Sequence, residues 1–206
     1  MTRHDQYDAR KRQILEGALA AFAELGYAGA SNKQIAEAAR LNSTALLYHY
    51  FENKQALFEA VIEEFMPAPR LAMRPDELLK LPVEDVLRQM ASAIMGALED
   101  ARTNALLRTM LSEALHDTQS TNVFFQGGSD KILSFLYLYF EGLMTRGIIK
   151  QGNVGAVVRC FVGPLVAHII SDYFVQLPDS QAPSTDIMID TTIMIFLKGM
   201  DHQANS

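Results

Sequence analysis

The sequence predicts an all-α protein in which a small N-terminal head is joined to a larger helical body. Apolar residues recur three and four positions apart along most of the 206 residues, which is the spacing of amphipathic helices. No alternating run of comparable length predicts a β-strand. Glycines and prolines interrupt the pattern at a few places and divide it into about nine helices. We therefore predict one domain over residues 1–65 and a second over residues 66–206.

The head is predicted to contain four helices. The first runs from Tyr7 to Leu25 and ends at Gly26, and the second begins after an N-cap at Ser31. The third ends at Phe51, and a fourth covers residues 54–65. The inward stripe of the first helix is predicted to be Leu15, Ala18, Phe22 and Leu25, and that of the fourth Ala56, Leu57, Ala60, Val61 and Phe65.

Residues 31–51 have the pattern of a helix-turn-helix. Two short helical segments flank a polar break at residues 40–42, after which Asn42, Ser43 and Thr44 offer N-caps for the second segment. Leu47 and Phe51 are four apart and predict an inward face. The polar side chains of the second segment are Thr44, Tyr48, His49 and Tyr50. We expect one side of this short helix to face the core and the other a polar partner.

The body is predicted to be helical beyond a boundary rich in proline. The prolines at positions 67, 69, 75 and 82 break the helical pattern between the head and the body. The predicted helices of the body span residues 83–102, 103–115, 131–144, 153–175 and 186–200, with loops at residues 127–128 and 176–184. The helix over residues 153–175 is the most apolar, and we expect a bend at Pro164.

The last two helices predict self-association. Their apolar residues cover more than one face, and a monomer can bury such helices only if both lie at its centre. We therefore expect a homodimer, with part of this apolar surface facing a second subunit. The predicted interface residues are Val158, Val162, Leu165, Val166, Ile169, Ile189, Ile193 and Phe196.

The charge distribution permits a local contact with nucleic acid but not indiscriminate binding. The net charge is −6, and phosphate repels an acidic protein unless positive charge is concentrated locally. Residues 1–55 carry seven Lys and Arg against six Asp and Glu, so the excess negative charge lies beyond residue 55. An acidic body with a head that tolerates phosphate fits this pattern.

Composition argues against a secreted, membrane or metal-dependent protein. The single cysteine, Cys160, excludes an internal disulfide framework and a multi-cysteine metal site. No basic-then-apolar leader opens the sequence, and the longest uncharged apolar run, residues 160–171, is too short for a bilayer. His168 and Asp172 favour a buried hydrogen-bonded pair over a metal site. We expect a cytoplasmic protein without a cofactor or a metal.

A longer pattern in the head consists of the run Ile14–Tyr27, of Ser31 with Ile35 and Ala36, and of Leu47-Tyr-His-Tyr-Phe51 followed by Lys54, Leu57 and Phe58. With this pattern, residues 1–65 resemble the DNA-binding head of the tetracycline-repressor (TetR) family of transcriptional regulators. The resemblance covers about a third of the chain. The rest is similar to the family only in length, helicity and its pair of apolar C-terminal helices.

The resemblance implies a set of DNA contacts on the head. It assigns Ser31, Tyr48, Tyr50 and Lys54 to phosphates and Thr44, Ala45, Leu46 and His49 to base edges in the major groove. Hydroxyls, an ammonium group and the N–H groups of a helix start are suitable donors to phosphate. No Arg, Asn or Gln lies between Thr44 and Phe51, so strong base reading has to come from Arg40 or Asn42, or from DNA shape. The full predicted set is Ser31, Lys33, Arg40, Asn42, Ser43, Thr44, Ala45, Leu46, Tyr48, His49, Tyr50 and Lys54.

The chain departs from the family pattern in the turn of the helix-turn-helix. The family has a glycine there, whereas this chain has Arg40 or Leu41 and one additional residue between Ile35 and Phe51. A turn of this kind needs a residue that accepts a positive φ. We expect Asn42 to take that position, because asparagine visits the left-handed region more readily than leucine does.

The resemblance also implies a small-molecule effector bound by the body. Methionine and aromatic side chains there are usually core, but in a helical regulator they can line an adaptable pocket for an apolar ligand. The candidate ligand-binding residues are Met95, Asn104, Arg108, Met110, Phe135, Tyr139, Phe161 and His168.

We therefore predict a ligand-responsive DNA-binding regulator that binds a palindromic operator as a dimer. We expect it to act as a repressor rather than as an activator. One alternative is a helical protein–protein adaptor with a vestigial head. An enzyme is a weaker alternative, because no catalytic constellation stands out in the sequence.

Overall fold

A computed structural model of the protein describes residues 3–72, 74–96, 100–116, 130–171 and 182–200. Every regular element in these ranges is a helix and none is a β-strand, which confirms the all-α prediction. The helices are α1 (Arg3–Gly29), α2 (Asn32–Ala38), α3 (Ala45–Tyr50), α4 (Lys54–Phe65), α5 (Pro67–Ala72), α6 (Pro75–Leu78), α7 (Val83–Gly96), α8 (Ala101–His116), α9 (Asp130–Thr145), α10 (Val154–Ile169) and α11 (Thr185–Met200). Within the described ranges no helix is long and apolar enough to cross a bilayer.

The two helices that the sequence did not predict are α5 and α6, in the proline-rich stretch. This stretch is helical rather than broken, because Pro67 and Pro75 each stand at the first position of a short helix. Proline is tolerated there because its missing N–H would have no intrahelical partner in any case. The expectation of a non-helical boundary was wrong. The glycine loop at 127–128 and most of the predicted loop at 176–184 lie outside the described residues.

The chain forms two compact units. The first comprises Met1–Arg70 and Ala97–Asp130, and the second comprises Leu71–Gly96 and Lys131–Ser206. Helix α8 therefore belongs to the first unit, together with α1 to α4. The division into domains at residues 65 and 66 stays a prediction.

The core of the first unit forms where α1, α2, α4 and α8 meet. The break in α1 lies at Gly26, whose φ of 77° is outside the helical region, as its position in the sequence predicted. The inward face of α4 is Leu57, Phe58, Val61 and Ile62. The predicted face was partly wrong, because Ala56, Ala60 and Phe65 are only half-buried. Leu25, also predicted to face inward, is 37% exposed.

Helix α8 is attached to α1 by packing and by a hydrogen bond. Leu106 and Met110 enter the same hydrophobic cluster as Ile14 and Phe22, and the hydroxyl of Thr109 donates to the Ala23 carbonyl at 3.0 Å. The N-terminus of α8 is capped by Asp100, whose Oδ2 accepts from the Thr103 N–H at 2.9 Å. This bond is the main reason that the pKa of Asp100 lies below its ordinary value.

The second unit is built around an aromatic cluster on α9, α10 and α11. Phe140, Phe161 and Phe196 are mutual neighbours, with ring centroids 5.2 to 5.9 Å apart. Asn153 caps α10 by accepting from the Ala156 N–H at 2.9 Å, and the helix runs through Pro164 without ending. The Arg88 side chain of α7 pairs with Asp190 of α11. These contacts join all the long helices of this unit.

Gly17 permits a close approach between α1 and α2. A Cβ added there would lie 2.3 Å from the Cα of Ala39, at the C-terminal end of α2. No Cβ fits at that distance from a backbone atom, so α1 and α2 can pack this closely only with glycine at position 17.

We expect Gly17→Ala to reduce the free energy of unfolding by about 1–3 kcal/mol, because the added methyl forces α2 away from α1. Urea denaturation followed by circular dichroism measures the change. Gly29→Ala is the matched control, since the nearest atom to its added Cβ is 3.8 Å away. Equal stability of the two variants would contradict the packing constraint.

Candidate nucleic-acid interface

Helix α2 begins with a complete capping box. The Ser31 hydroxyl accepts from the Gln34 N–H at 3.3 Å, and the Gln34 side chain accepts from the Ser31 N–H at 2.9 Å. The predicted N-cap is therefore confirmed. On the inner face of α2, Ile35 and Ala36 are buried, as the spacing predicted.

The turn after α2 places Arg40, not Asn42, in the left-handed region. Arg40 has a φ of 53° and is the only non-glycine residue of the described ranges with a positive φ. The Leu41 N–H donates to the Ala36 carbonyl at 2.8 Å and the Arg40 N–H to the Glu37 carbonyl at 2.9 Å. This pair of bonds is a Schellman motif, in which the left-handed residue comes directly after the helix cap. Our expectation for Asn42 was wrong, because the Schellman motif places the left-handed residue directly after Ala39, the C-cap of α2.

Helix α3 is capped by Ser43. Its hydroxyl accepts from the Ala45 N–H at 3.1 Å, whereas Thr44 makes no side-chain cap. Leu47 and Phe51 are buried, which confirms the predicted inward face. The remaining side chains of this short helix, apart from the half-buried Leu46 and Tyr50, are exposed.

Helix α1 supports the turn and α3 from the other side. The Gln13 side chain donates to the Ala39 carbonyl at 2.7 Å, and Arg10 donates to the Gln13 oxygen at 3.0 Å. The ring of Tyr7 lies 4.7 Å from the ring of Tyr50, centroid to centroid. The orientation of α3 thus depends on contacts between residues about 25 to 45 positions apart.

A groove of about 510 Å³ opens beside the turn and α3. It is lined by Arg10, Arg40, Leu41, Asn42, Ser43, Ala45, Leu46 and His49. Six of the residues predicted to contact DNA therefore share one surface. None of the lining residues is acidic, and Arg10 and Arg40 make the groove electropositive. An electropositive groove of this kind favours an anionic partner.

The other predicted contacts lie around Tyr48 and the start of α4. Tyr48 is 54% exposed, and its hydroxyl accepts from the Asn32 side chain at 2.5 Å, which links α3 to the start of α2 near Ser31 and Lys33. The Lys54 ammonium lies 4.7 Å from the centre of the Tyr27 ring and 3.5 Å from the Ala28 carbonyl. Burial raises the pKa of Tyr27 above its ordinary value, and Glu59 adds to this.

Three residues of this surface were not predicted from the sequence. Arg10 lines the groove, Gln13 holds the end of α2, and Asn32 bonds to Tyr48. The charge of Arg10 was the one available signal. Its distance from the turn in sequence hid the connection, because helical periodicity relates only neighbours a few positions apart.

The predicted effector residues are distributed over both units. Asn104, Arg108 and Met110 lie on α8 in the first unit, where Met110 is part of the hydrophobic cluster. Met95, Phe135, Tyr139, Phe161 and His168 lie in the second unit and are all buried. The rings of Phe135 and Tyr139 stack at 5.7 Å. Asp172, the predicted partner of His168, lies outside the described residues.

The predicted interface residues divide between two faces of α10 and α11. Val158, Leu165, Ile169, Ile189, Ile193 and Phe196 are buried within the subunit, Val162 is half-buried and Val166 is exposed. The same helices expose a further set of apolar residues, namely Ile170, Ile187, Met194 and Ile195. Both helices are thus apolar on two faces, one of which packs inside the subunit.

The geometry of residues 31–51 defines a helix-turn-helix protein with an electropositive surface at its third helix. The family model described as "Bacterial regulatory proteins, tetR family" matches residues 14–61, which hold α2, α3 and most of α1 and α4. The helix-turn-helix part of the chain is thus similar to bacterial regulatory proteins of the tetR family.

Individual relatives show the same similarity. The HTH-type transcriptional regulator RutR of Escherichia coli K12 is 37% identical over 83 residues, which are 39% of each chain. The HTH-type transcriptional regulator BetI of Pectobacterium carotovorum is 31% identical over 122 residues, or 55% of this chain and 62% of BetI. The matched part is thus less than two thirds of each relative.

The fold extends further than the sequence match. The crystal structure of the transcriptional regulator FadR from Bacillus subtilis in complex with stearoyl-CoA superimposes with a TM-score of 0.69 at 18% identity. The match covers 92% of this chain and 98% of FadR. Both units of the chain are therefore included in the shared fold.

We expect Ser31→Ala to lower the free energy of unfolding by about 1 kcal/mol, because it removes the hydroxyl that caps α2. Ser31→Asp keeps a capping oxygen and is expected to stay within a few tenths of a kcal/mol of the wild type. Urea denaturation compares the three proteins. A stable alanine variant would show that the capping box contributes nothing to the head.

Proposed function

We propose that this protein is a dimeric, ligand-responsive transcriptional repressor that binds a palindromic DNA operator in the cytoplasm. The observation that carries the proposal is the surface of α3. Its inward residues are held by α1, while Ala45, Leu46 and His49 share an electropositive groove with Arg10 and Arg40. The names of RutR and BetI, both HTH-type transcriptional regulators, support it.

The arrangement fits the insertion of α3 into the major groove of DNA. Ala45 is small enough to let the helix approach the bases, and Leu46 can contact a thymine methyl. Tyr48, Lys54, Lys33 and the N–H groups at the start of α2 are the donors that we assign to phosphates. The Ser31 hydroxyl is already bonded to Gln34, so a phosphate contact by Ser31 has to compete with the capping box.

We expect Tyr48→Phe to weaken binding to all operator sequences about 10-fold in a dimer, because each subunit loses one hydroxyl contact with phosphate. The bond between Asn32 and Tyr48 is exposed to solvent, so its loss leaves the fold intact. Fluorescence anisotropy with labelled duplexes of different sequence measures the affinities. A loss confined to one sequence would contradict a phosphate contact.

A companion variant, Lys54→Met, keeps the side-chain stem over Tyr27 and removes the charge. The slope of log K against log salt should become shallower by about 2 for a dimer that loses one phosphate contact per subunit. Lys80→Met is the control with the same change of charge, since Lys80 is exposed and lies between α6 and α7, outside the head and outside the proposed dimer interface. Equal slopes for the two variants would exclude Lys54 from the interface.

For the dimer, we propose an interface on the exposed apolar face of α10 and α11. A groove of about 390 Å³ runs between these helices, and its lining includes Cys160, Pro164, Met188 and Ile195. Ile195 is 62% exposed, and Val166, Ile170, Ile187 and Met194 extend the same apolar surface. A second copy of the chain is the occupant that we favour, because a two-fold operator requires two heads and a closed symmetric contact covers this face on both copies.

We expect Ile195→Glu to weaken the dimer at least about 100-fold, because two carboxylates would be buried without partners. Analytical ultracentrifugation over a range of concentrations measures this. Leu138→Glu on α9 is the matched control, since Leu138 is 71% exposed but lies on another helix. A variant at position 195 that dimerises like the control would place the interface elsewhere.

The effector proposal rests on buried methionine and aromatic side chains of the second unit. We propose a small, largely apolar effector for this chain, and FadR of Bacillus subtilis, which shares the fold and was crystallised with stearoyl-CoA, supports the apolar part of this proposal through the acyl chain of its ligand. The candidate contacts are Met95, Phe135, Tyr139, Phe161 and His168. An effector that binds only one spacing of the two heads shifts the population to that spacing, and a spacing that does not fit DNA releases the operator.

A further inference from the structure

The backbone of Arg40 has a strained conformation, and no contact of its side chain within the described part of the chain compensates for the strain. A residue with a Cβ is disfavoured at a φ of 53°, whereas glycine is not. The two hydrogen bonds of the Schellman motif use only backbone atoms, so glycine would make them equally well. Among the described residues the Arg40 side chain makes no hydrogen bond or ion pair, and it is exposed. The fold therefore gains nothing from a guanidinium at this position.

The position of Arg40 indicates what the guanidinium is for. It lines the same groove as Ala45, Leu46 and His49, which are the residues assigned to base edges. From Ala45 to Tyr50, α3 contains no Arg, Lys, Asn or Gln, and so lacks every side chain that reads a guanine or an adenine with two hydrogen bonds. A guanidinium next to the N-terminus of α3 supplies the missing chemistry.

The adjoining backbone is held firmly. The Ala39 carbonyl, directly before Arg40, accepts from Gln13 at 2.7 Å, and Leu41, directly after it, packs against the hydrophobic core of the first unit. A side chain that extends from an anchored turn loses less conformational freedom on binding than one on a mobile loop. The strained residue is thus presented to the groove from a fixed position.

We propose that Arg40 is the specificity-determining residue of the DNA interface. Its guanidinium donates two hydrogen bonds to one guanine in each half-site, at the O6 and N7 atoms of the base. This inference rests on the proposed function, because it assumes that α3 enters the major groove. It identifies Arg40, rather than Asn42 or DNA shape, as the source of base reading. It also explains why an arginine occupies a turn position that favours glycine.

The decisive variant is Arg40→Gly, which removes the guanidinium and relieves the strain. The preferred operator is first selected from randomised duplexes with the wild-type protein. Affinities of wild type and variant are then measured for that operator and for duplexes with each base pair changed in turn. We expect the wild type to prefer guanine at one position per half-site by about 10-fold or more, and the variant to lose this preference.

Two further measurements keep this result separate from a folding defect. The melting temperature of Arg40→Gly is expected to rise by about 2 °C, because the strain is removed. Arg12→Ala serves as the charge control, since Arg12 pairs with Glu16 outside the groove, and it should keep the guanine preference. Loss of base discrimination in a more stable protein is a result that a purely structural role for Arg40 does not produce.

Each other outcome overturns the inference. Uniform weakening on all duplexes with a shallower salt dependence would assign Arg40 to a phosphate. Retention of the guanine preference in Arg40→Gly, with its loss in Asn42→Ala, would assign the base reading to Asn42. Unchanged affinity would exclude Arg40 from the interface. If the wild type selects no duplex at all, the proposed function itself fails, and this result is distinguishable from the other three.

Discussion

The contact between α1 and the end of α2 is the constraint on which the groove beside the turn and α3 depends. Gly17 lets the two helices meet at Ala39, and Gln13 binds the carbonyl of that same residue. The turn that follows can then close as a Schellman motif, which sets where α3 begins. A helix of only six residues has little stability of its own, so its orientation comes from these tertiary contacts.

Helix α1 also packs against α8. Thr109 donates to the α1 backbone at Ala23, and Leu106 and Met110 share its hydrophobic cluster. α8 follows α7 in the sequence, and α7 belongs to the second unit. A displacement of α8 would therefore act on the helix that holds the turn.

Much of the head could be predicted because its information is local. The N-cap at Ser31, the break at Gly26 and the inward pair Leu47 and Phe51 follow from residue type and helical spacing. The turn was predicted less well. Hydrogen bonds to the end of α2 determine which residue of the turn is left-handed. Asparagine has the higher intrinsic preference for this conformation, which is why we expected Asn42, but these bonds place it at Arg40.

The sequence by itself determined the all-α class, most helix boundaries and the similarity of the head to the tetR family, because periodicity and capping depend on residues a few positions apart. Only the tertiary structure decided which apolar residues of α10 and α11 face the subunit core and which stay exposed. It also brought Arg10 of α1 into the groove with Arg40 and α3. Contacts between residues distant in sequence depend on how complete helices pack, and no short segment encodes that.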